Sequence, residues 1–186
     1  MRRLIAFEQV SLDGFFVDGK GDMSWAHKQD PEWNAFAGSN ASGDGALLFG
    51  RVTYEMMASF WPTPMAMERM PAVAEGMNRM PKVVFSRTLE NVSWHNTTLV
   101  KGDVAAHVRE LKNEPGPGMA ILGSGSIVSQ LTQAGLIDEL QIVVNPIVLG
   151  KGRTLFEGVE EKIGLQLMKS RAFDNGNVVL YYQPMA

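Results

Sequence analysis

The chain has no cysteine. That absence removes disulfides, cysteine-ligated zinc, thiolate nucleophiles and thiol redox switches. Histidine is scarce: His27, His95 and His107 are scattered, with no Asp or Glu beside them at metal-ligand spacing, so neither a metal centre nor a histidine triad is expected. No apolar run approaches the roughly 18 residues of a membrane span. The first run, Leu4 to Phe7, is broken by Glu8 and Gln9, well short of a secretory signal's apolar core. Charge is not concentrated either. The 17 Lys and Arg against 20 Asp and Glu leave a net charge of -3 with no long block of one sign, which argues against nucleic acid or a membrane surface as partner. With no linker and no internal repeat, 186 residues at 45% hydrophobic content predict one cytoplasmic domain over 1–186.

What is present is an alternation of short apolar runs and helical patterns. Leu4 to Val10 reads as a first buried strand opening into Ser11-Leu12-Asp13-Gly14, with a loop from Val17 to Lys28. Asp30-Pro31 starts a helix, carrying an N-cap acid and proline at the first helical position, with Trp33, Phe36 and Ala37 behind it. Ala46 to Phe49 is a buried strand, stopped by Gly50 and followed by a helix to about Phe60. Trp61 to Pro81 holds four prolines around two short helical patterns. With Met56 and Met57 it concentrates seven of the twelve methionines, either as core filling or as an adaptable wall over a ligand. Further strands are expected at Lys82 to Phe85, Thr97 to Val100, Met119 to Leu122 and Glu139 to Val144, with helices after Asp103 and through Ile127, Leu131 and Ala134. Leu165 to Ala172 and Val178 to Tyr182 read as a hairpin joined through Asp174-Asn175-Gly176. The fold class is therefore α/β, a mostly parallel central sheet flanked by helices with a C-terminal antiparallel hairpin at one edge.

In such sheets ligands gather at the carboxyl ends of the strands. Gly123-Ser124-Gly125-Ser126 follows a strand and opens a helix, so its backbone N–H groups can approach a phosphate; a plain tight turn is the other reading. Val128 stands where a dinucleotide fingerprint carries its third glycine, so a standard Rossmann match fails. Gly50-Arg51 and Ser86-Arg87-Thr88 each put an arginine at a strand's end. A guanidinium beside two hydroxyls suits a phosphate monoester, although the same residues also serve as solvated turns. Gly150 to Thr154 imitates half a P-loop without its residue order, and reads as a soluble loop.

Taken in order, Ser11-Leu12-Asp13-Gly14, Gly50-Arg51-Val52-Thr53-Tyr54-Glu55, Lys82 to Leu89 and Gly123-Ser124-Gly125-Ser126-Ile127 resemble the dihydrofolate-reductase-like superfamily. The likeness continues through Leu136 to Leu140 and Pro146 to Gly152 as far as Phe156, and is specifically to the reductase domain of riboflavin biosynthesis and its stand-alone relatives. With 186 residues and no cysteine, the chain is expected to lack the zinc deaminase domain that commonly accompanies that reductase.

The resemblance implies a three-layer dihydrofolate-reductase-like fold, a homodimer and an NADPH site. Gly50, Arg51 and Thr53 with Gly123, Ser124, Gly125, Ser126 and Ile127 would hold the pyrophosphate, and Ser86, Arg87 and Thr88 the adenosine 2′-phosphate. Asp13 would face a heterocyclic small-molecule substrate, pteridine-like or ribosylaminopyrimidine-like. Asp30 sits near the place where folate reductases carry a helix carboxylate. Hydride addition to C=N or C=O needs a proton, which a carboxyl of raised pKa delivers, so Asp13 is the expected catalytic group and Asp30 the second. Asp13 could instead only organise its Asp-Gly turn, and Asp30 only cap its helix. The competing functional reading is a non-catalytic NADPH- or small-ligand-binding module on the same fold.

Overall fold

The computed structural model describes residues 1–26, 30–41 and 43–185; His27 lies outside them. The strands are β1 (Leu4–Ser11), β2 (Phe15–Asp18), β3 (Ala46–Gly50), β4 (Lys82–Phe85), β5 (Thr97–Val100), β6 (Met119–Leu122), β7 (Glu139–Asn145), β8 (Gly152–Thr154), β9 (Leu165–Ala172) and β10 (Val178–Pro184). The helices are α1 (Pro31–Ala41), α2 (Arg51–Phe60), α3 (Pro64–Arg69), α4 (Pro71–Arg79), α5 (Val104–Asn113) and α6 (Gly125–Gln133).

Eight strands form one sheet in the order β5-β4-β3-β6-β1-β7-β10-β9. The six from β5 to β7 are parallel, and β10 and β9 add antiparallel at the edge, as expected of the terminal hairpin. Parallel strands are buried on both faces, hence the unbroken apolar runs Leu47-Leu48-Phe49 and Val83-Val84-Phe85. One face carries Leu4, Ala6, Leu48 and Ile121 against Val108 of α5 and Ile127, Val128 and Leu131 of α6. The other packs Leu47, Phe49 and Val84 against Tyr54 of α2 and Met77 of α4. Further along that second face, Phe7, Val143, Val179 and Tyr181 meet Trp33 and Phe36 of α1. Helices on both sides of the sheet complete three layers.

Helix ends follow the expected chemistry. Asp30 Oδ1 accepts the Trp33 N–H at 2.7 Å, Thr63 Oγ1 accepts from Ala66 at 3.3 Å, and Asp103 Oδ1 from Ala106 at 2.8 Å. The prolines split the methionine-rich segment into α3 and α4, and Met77 and Met80 fill the core, while Met56, Met65, Met67 and Met70 stay exposed.

Two expectations are corrected. The loop drawn from Val17 starts too early, because Phe15–Asp18 is strand β2, and the soluble loop read at Gly150 to Thr154 contains strand β8; the two pair antiparallel as a separate small sheet. Both are too short and irregular to carry an alternating pattern. Their pairing depends on Gly152, at φ +154°, where a Cβ would fall 2.0 Å from the Val17 carbonyl oxygen.

Candidate active site at the carboxyl rim of the sheet

The parallel strands deliver their carboxyl ends to one rim in the order β4, β3, β6, β1, β7. Gly50 pairs with Phe85, so Gly50-Arg51 and Ser86-Arg87-Thr88 emerge side by side; Ser11 pairs with Asn145, so the Asp13 turn emerges beside the end of β7. Every turn singled out in the sequence opens on this rim.

At its centre two helix starts are tied together. The Gly50 N–H donates to Ser124 Oγ at 2.9 Å, joining the residue before α2 to the residue before α6. Gly123 and Ser124 are successive left-handed residues, at φ +63° and +67°. A Cβ on Gly123 would stand 3.2 Å from Thr53, and one on Gly125 would meet the Phe16 ring at 2.8 Å. The turn is therefore cramped on the protein side and leaves its backbone to face outward. Unlike α1, α3 and α5, helices α2, α4 and α6 have no side-chain cap, and of these α2 and α6 start at the carboxyl ends of β3 and β6 on this rim. Their first N–H groups form a positive cradle suited to an anion.

The flanking side chains are only partly committed. Arg51 is half-exposed and pairs with Glu55 on its own helix at 2.9 Å. Ser86 Oγ accepts the N–H groups of Thr88 at 3.2 Å and Leu89 at 3.0 Å and lies 3.4 Å from Thr88 Oγ1, so it shapes the turn. Arg87, at the tip, is exposed and forms no ion pair among the described residues.

Asp13 corrects the sequence reading of its charge. Its Oδ1 accepts Ser11 Oγ–H at 2.6 Å and Leu149 N–H at 3.1 Å, and its Oδ2 accepts Gly150 N–H at 2.7 Å. Ser11 Oγ in turn accepts the Phe15 N–H at 2.9 Å. The Ser11 hydrogen bond above all, with those backbone amides, holds the carboxyl at about 2 instead of raising it. Asp13 is ionised at neutral pH and clasps the Leu149–Gly150 loop to the end of β1. Asp30 spends one oxygen capping α1.

Sequence reasoning passed over a second set of polar residues. Glu8 is 1% exposed and Asn145 and Asn177 are fully buried, at positions surrounded by apolar neighbours. The signal was available: an acid inside the run Leu4–Val10, and an amide closing the run Leu140–Val144, break the inward pattern of their strands. Among the described residues no group of three or more His, Asp or Glu side chains could hold a metal, and no helix is long and apolar enough to cross a membrane.

Comparison with known proteins gives this geometry a family. Residues 2–179 match the model of the RibD C-terminal domain. Two proteins of Bacillus subtilis (strain 168), described as uncharacterized, are similar along their lengths: YyaP is 27% identical over 181 residues, covering 97% of this chain and 94% of YyaP. YwjB is 26% identical over 182 residues, covering 97% of each. The crystal structure of a putative riboflavin biosynthesis protein from Shewanella sp. PV-4 superposes with a TM-score of 0.73 at 24% identity, over 99% of both chains. A diaminohydroxyphosphoribosylaminopyrimidine deaminase/5-amino-6-(5-phosphoribosylamino)uracil reductase from Thermotoga maritima superposes with a TM-score of 0.71 at 14% identity, covering 99% of this chain but 57% of that one. The α/β architecture, with its parallel sheet and antiparallel terminal hairpin, is the dihydrofolate-reductase-like fold of these neighbours, and the chain belongs to the RibD C-terminal domain family.

Proposed function

We propose that this chain is an NADPH-dependent reductase of a pteridine-like or ribosylaminopyrimidine-like heterocycle. The observation that carries the reading is the pair of uncapped helix starts bound to each other through Gly50 and Ser124. The donor set fits the cofactor. Backbone N–H groups at the starts of α2 and α6 suit a pyrophosphate, and the unpaired Arg87, held out by the Ser86 turn, suits a 2′-phosphate. Arg51 joins the pyrophosphate by exchanging Glu55 for it. Bound NADPH supplies the hydride. Asp13 acts here as a positioning residue: it fixes the loop after β7 against the turn after β1, where the substrate edge of the site would lie.

Equilibrium titration with NADPH and NADH tests this reading. Arg87→Ala is expected to weaken NADPH by about 10- to 100-fold, the worth of a charge-assisted phosphate contact, while NADH affinity stays unchanged. If neither nucleotide binds the wild-type protein, the reductase reading falls. A second reading, a module that binds NADPH without catalysis, is favoured by the ionised, fully engaged Asp13, which has no proton to deliver. NADPH binding without turnover on any such heterocycle would select it.

The functional unit on this reading is a homodimer. Ile142, Val144, Leu180 and Tyr182 are half-buried, Leu167 is 51% exposed, and β9 presents an unpaired strand edge. Sedimentation at twice the chain mass, shifted toward monomer by Leu167→Lys, is the expected result; a monomer at all concentrations refutes it.

A further inference from the structure

Beside α2 a hollow of about 400 Å³ opens between the helix and the segment that leads from the Ser86 turn back toward β5. Tyr54, Glu55 and Ala58 of the helix line one wall, and Leu89, Val92 and Ser93 of the segment line the other. No residue of the cradle at Gly50 and Gly123 to Ile127 takes part. The two walls are tied together: Tyr54 Oη accepts the N–H groups of Ser93 at 3.0 Å and Trp94 at 3.1 Å, so the hollow is held open by the fold.

Its lining is apolar with one charge. Ala58, Leu89 and Val92 are half-buried and pack against the core group of Tyr54 and Trp94. The Tyr54 hydroxyl is committed to those two amides, which leaves its ring as lining. Against these stands the half-exposed carboxylate of Glu55. Its Oε2 accepts from Arg51 Nη1 at 2.9 Å, while its Oε1 has no partner among the described residues. The Asn91 side chain and the Ser93 hydroxyl, at the same hollow, are likewise without a hydrogen-bond partner there. No lysine or arginine lines it. An apolar recess with a single carboxylate and two uncharged acceptors is complementary to a small organic ammonium, whose hydrocarbon body leaves water while its N–H groups find the oxygens. An anion is repelled by Glu55.

Resting for its coupling on the cofactor reading above, we propose that this hollow is a binding site for a small primary amine with an apolar body, and that Glu55 exchanges between this amine and Arg51 as the cofactor leaves and enters. Arg51 is the first residue of α2, and the guanidinium that Glu55 holds is the one assigned to the pyrophosphate. Cofactor binding therefore frees Glu55 for the ammonium, and an ammonium at Glu55 frees Arg51 for the cofactor. The two ligands assist each other by the same factor.

The test is calorimetric titration with phenethylamine and with its neutral isostere phenethyl alcohol, on wild-type protein and Glu55→Gln, with and without saturating NADPH, while amide NMR shifts locate the bound amine. The expected result is a dissociation constant of about 1 mM for the amine, as a small open site allows, with shifts concentrated in residues 54–59 and 89–93. Glu55→Gln and the alcohol should each bind about fivefold more weakly, the worth of a partly exposed ion pair. NADPH should tighten the amine about two- to fivefold, the amine should tighten NADPH equally, and Glu55→Gln should abolish both effects. Equal binding of amine and alcohol, indifference to Glu55→Gln, or shifts elsewhere overturn the inference, as does NADPH binding that leaves the amine affinity unchanged. If NADPH itself fails to bind, the cofactor reading falls, and the alcohol and Glu55→Gln comparisons still decide the amine site.

Discussion

Lys82→Met is expected to cost about 3 kcal/mol of stability, read as a lower midpoint in urea with an unchanged slope. Lys82 opens β4 yet is 1% exposed, and its ammonium donates to the carbonyls of Met77 at 2.9 Å, Asn78 at 3.1 Å and Met80 at 2.7 Å. These are carbonyls from the end of α4 and the step just beyond it, and a cation there also meets the negative end of the helix dipole. The ammonium lies 4.4 Å from the centre of the Trp94 ring, whose Nε1–H donates to Asn78 Oδ1 at 2.7 Å, while Tyr54 Oη accepts the Trp94 N–H at 3.1 Å. Methionine fills the space but leaves the carbonyls without a donor in a site closed to water, and that desolvation dominates the loss. Burial also pushes the Lys82 pKa down from 10.5 to about 8. Between those values the unfolded chain binds the extra proton, so this group makes the wild-type protein more stable as pH rises from about 8 toward 10.5. Lys82→Met removes that rise. Parallel pH profiles for the two proteins would show that the ammonium is not buried as described.

The contrast between Lys82 and its neighbours shows which parts of the molecule are legible in the sequence. Strands buried on both faces announce themselves: Leu47-Leu48-Phe49, Val83-Val84-Phe85 and Ala120-Ile121-Leu122 are continuous apolar runs, each closed by glycine or a polar turn, and the parallel order and the rim follow from them. Asp30 and Asp103 are legible as caps because capping is local. What local pattern does not carry is chemistry made by distant partners. The pKa of Asp13 is lowered first by Ser11, two residues before it, and then by the amides of Gly150 and Leu149, 137 and 136 residues away, and that second contribution is the one local pattern does not carry. Strand β8 is Gly-Arg-Thr, exposed throughout, and exists because the Val17 backbone runs beside a position without a Cβ. The tie between Gly50 and Ser124 joins residues 74 apart, so the sequence shows two candidate phosphate turns where the fold makes one cradle.

Glu8→Leu is expected to raise stability at neutral pH by about 1–3 kcal/mol, the cost of a buried polar group with no partner, and so to raise the melting temperature by several degrees. Glu8 occupies an inward position of central strand β1, among the residues that bury Ala6 and Val10, and neither carboxyl oxygen has a hydrogen-bond partner. Burial pushes its pKa well above the usual 4.5. The direction of the pH effect follows from that shift. The folded protein keeps a proton that the unfolded chain releases above about 4.5, so the stability contributed by neutral Glu8 is complete below that value and drains away as pH climbs toward the folded pKa. Wild-type protein should therefore lose stability between mildly acidic and neutral pH relative to Glu8→Gln, which keeps the shape and cannot ionise. Superimposable slopes for the two would sink the argument. The raised pKa also bears on the rim: Ala6 pairs with Ile121 and Phe7 with Leu122, so the register puts Glu8 level with Gly123 at the approach to α6. A negative charge there would oppose an anion at that helix start, so on the cofactor reading proposed above Glu8→Gln should titrate with NADPH no more weakly than the wild-type protein, while melting later at neutral pH.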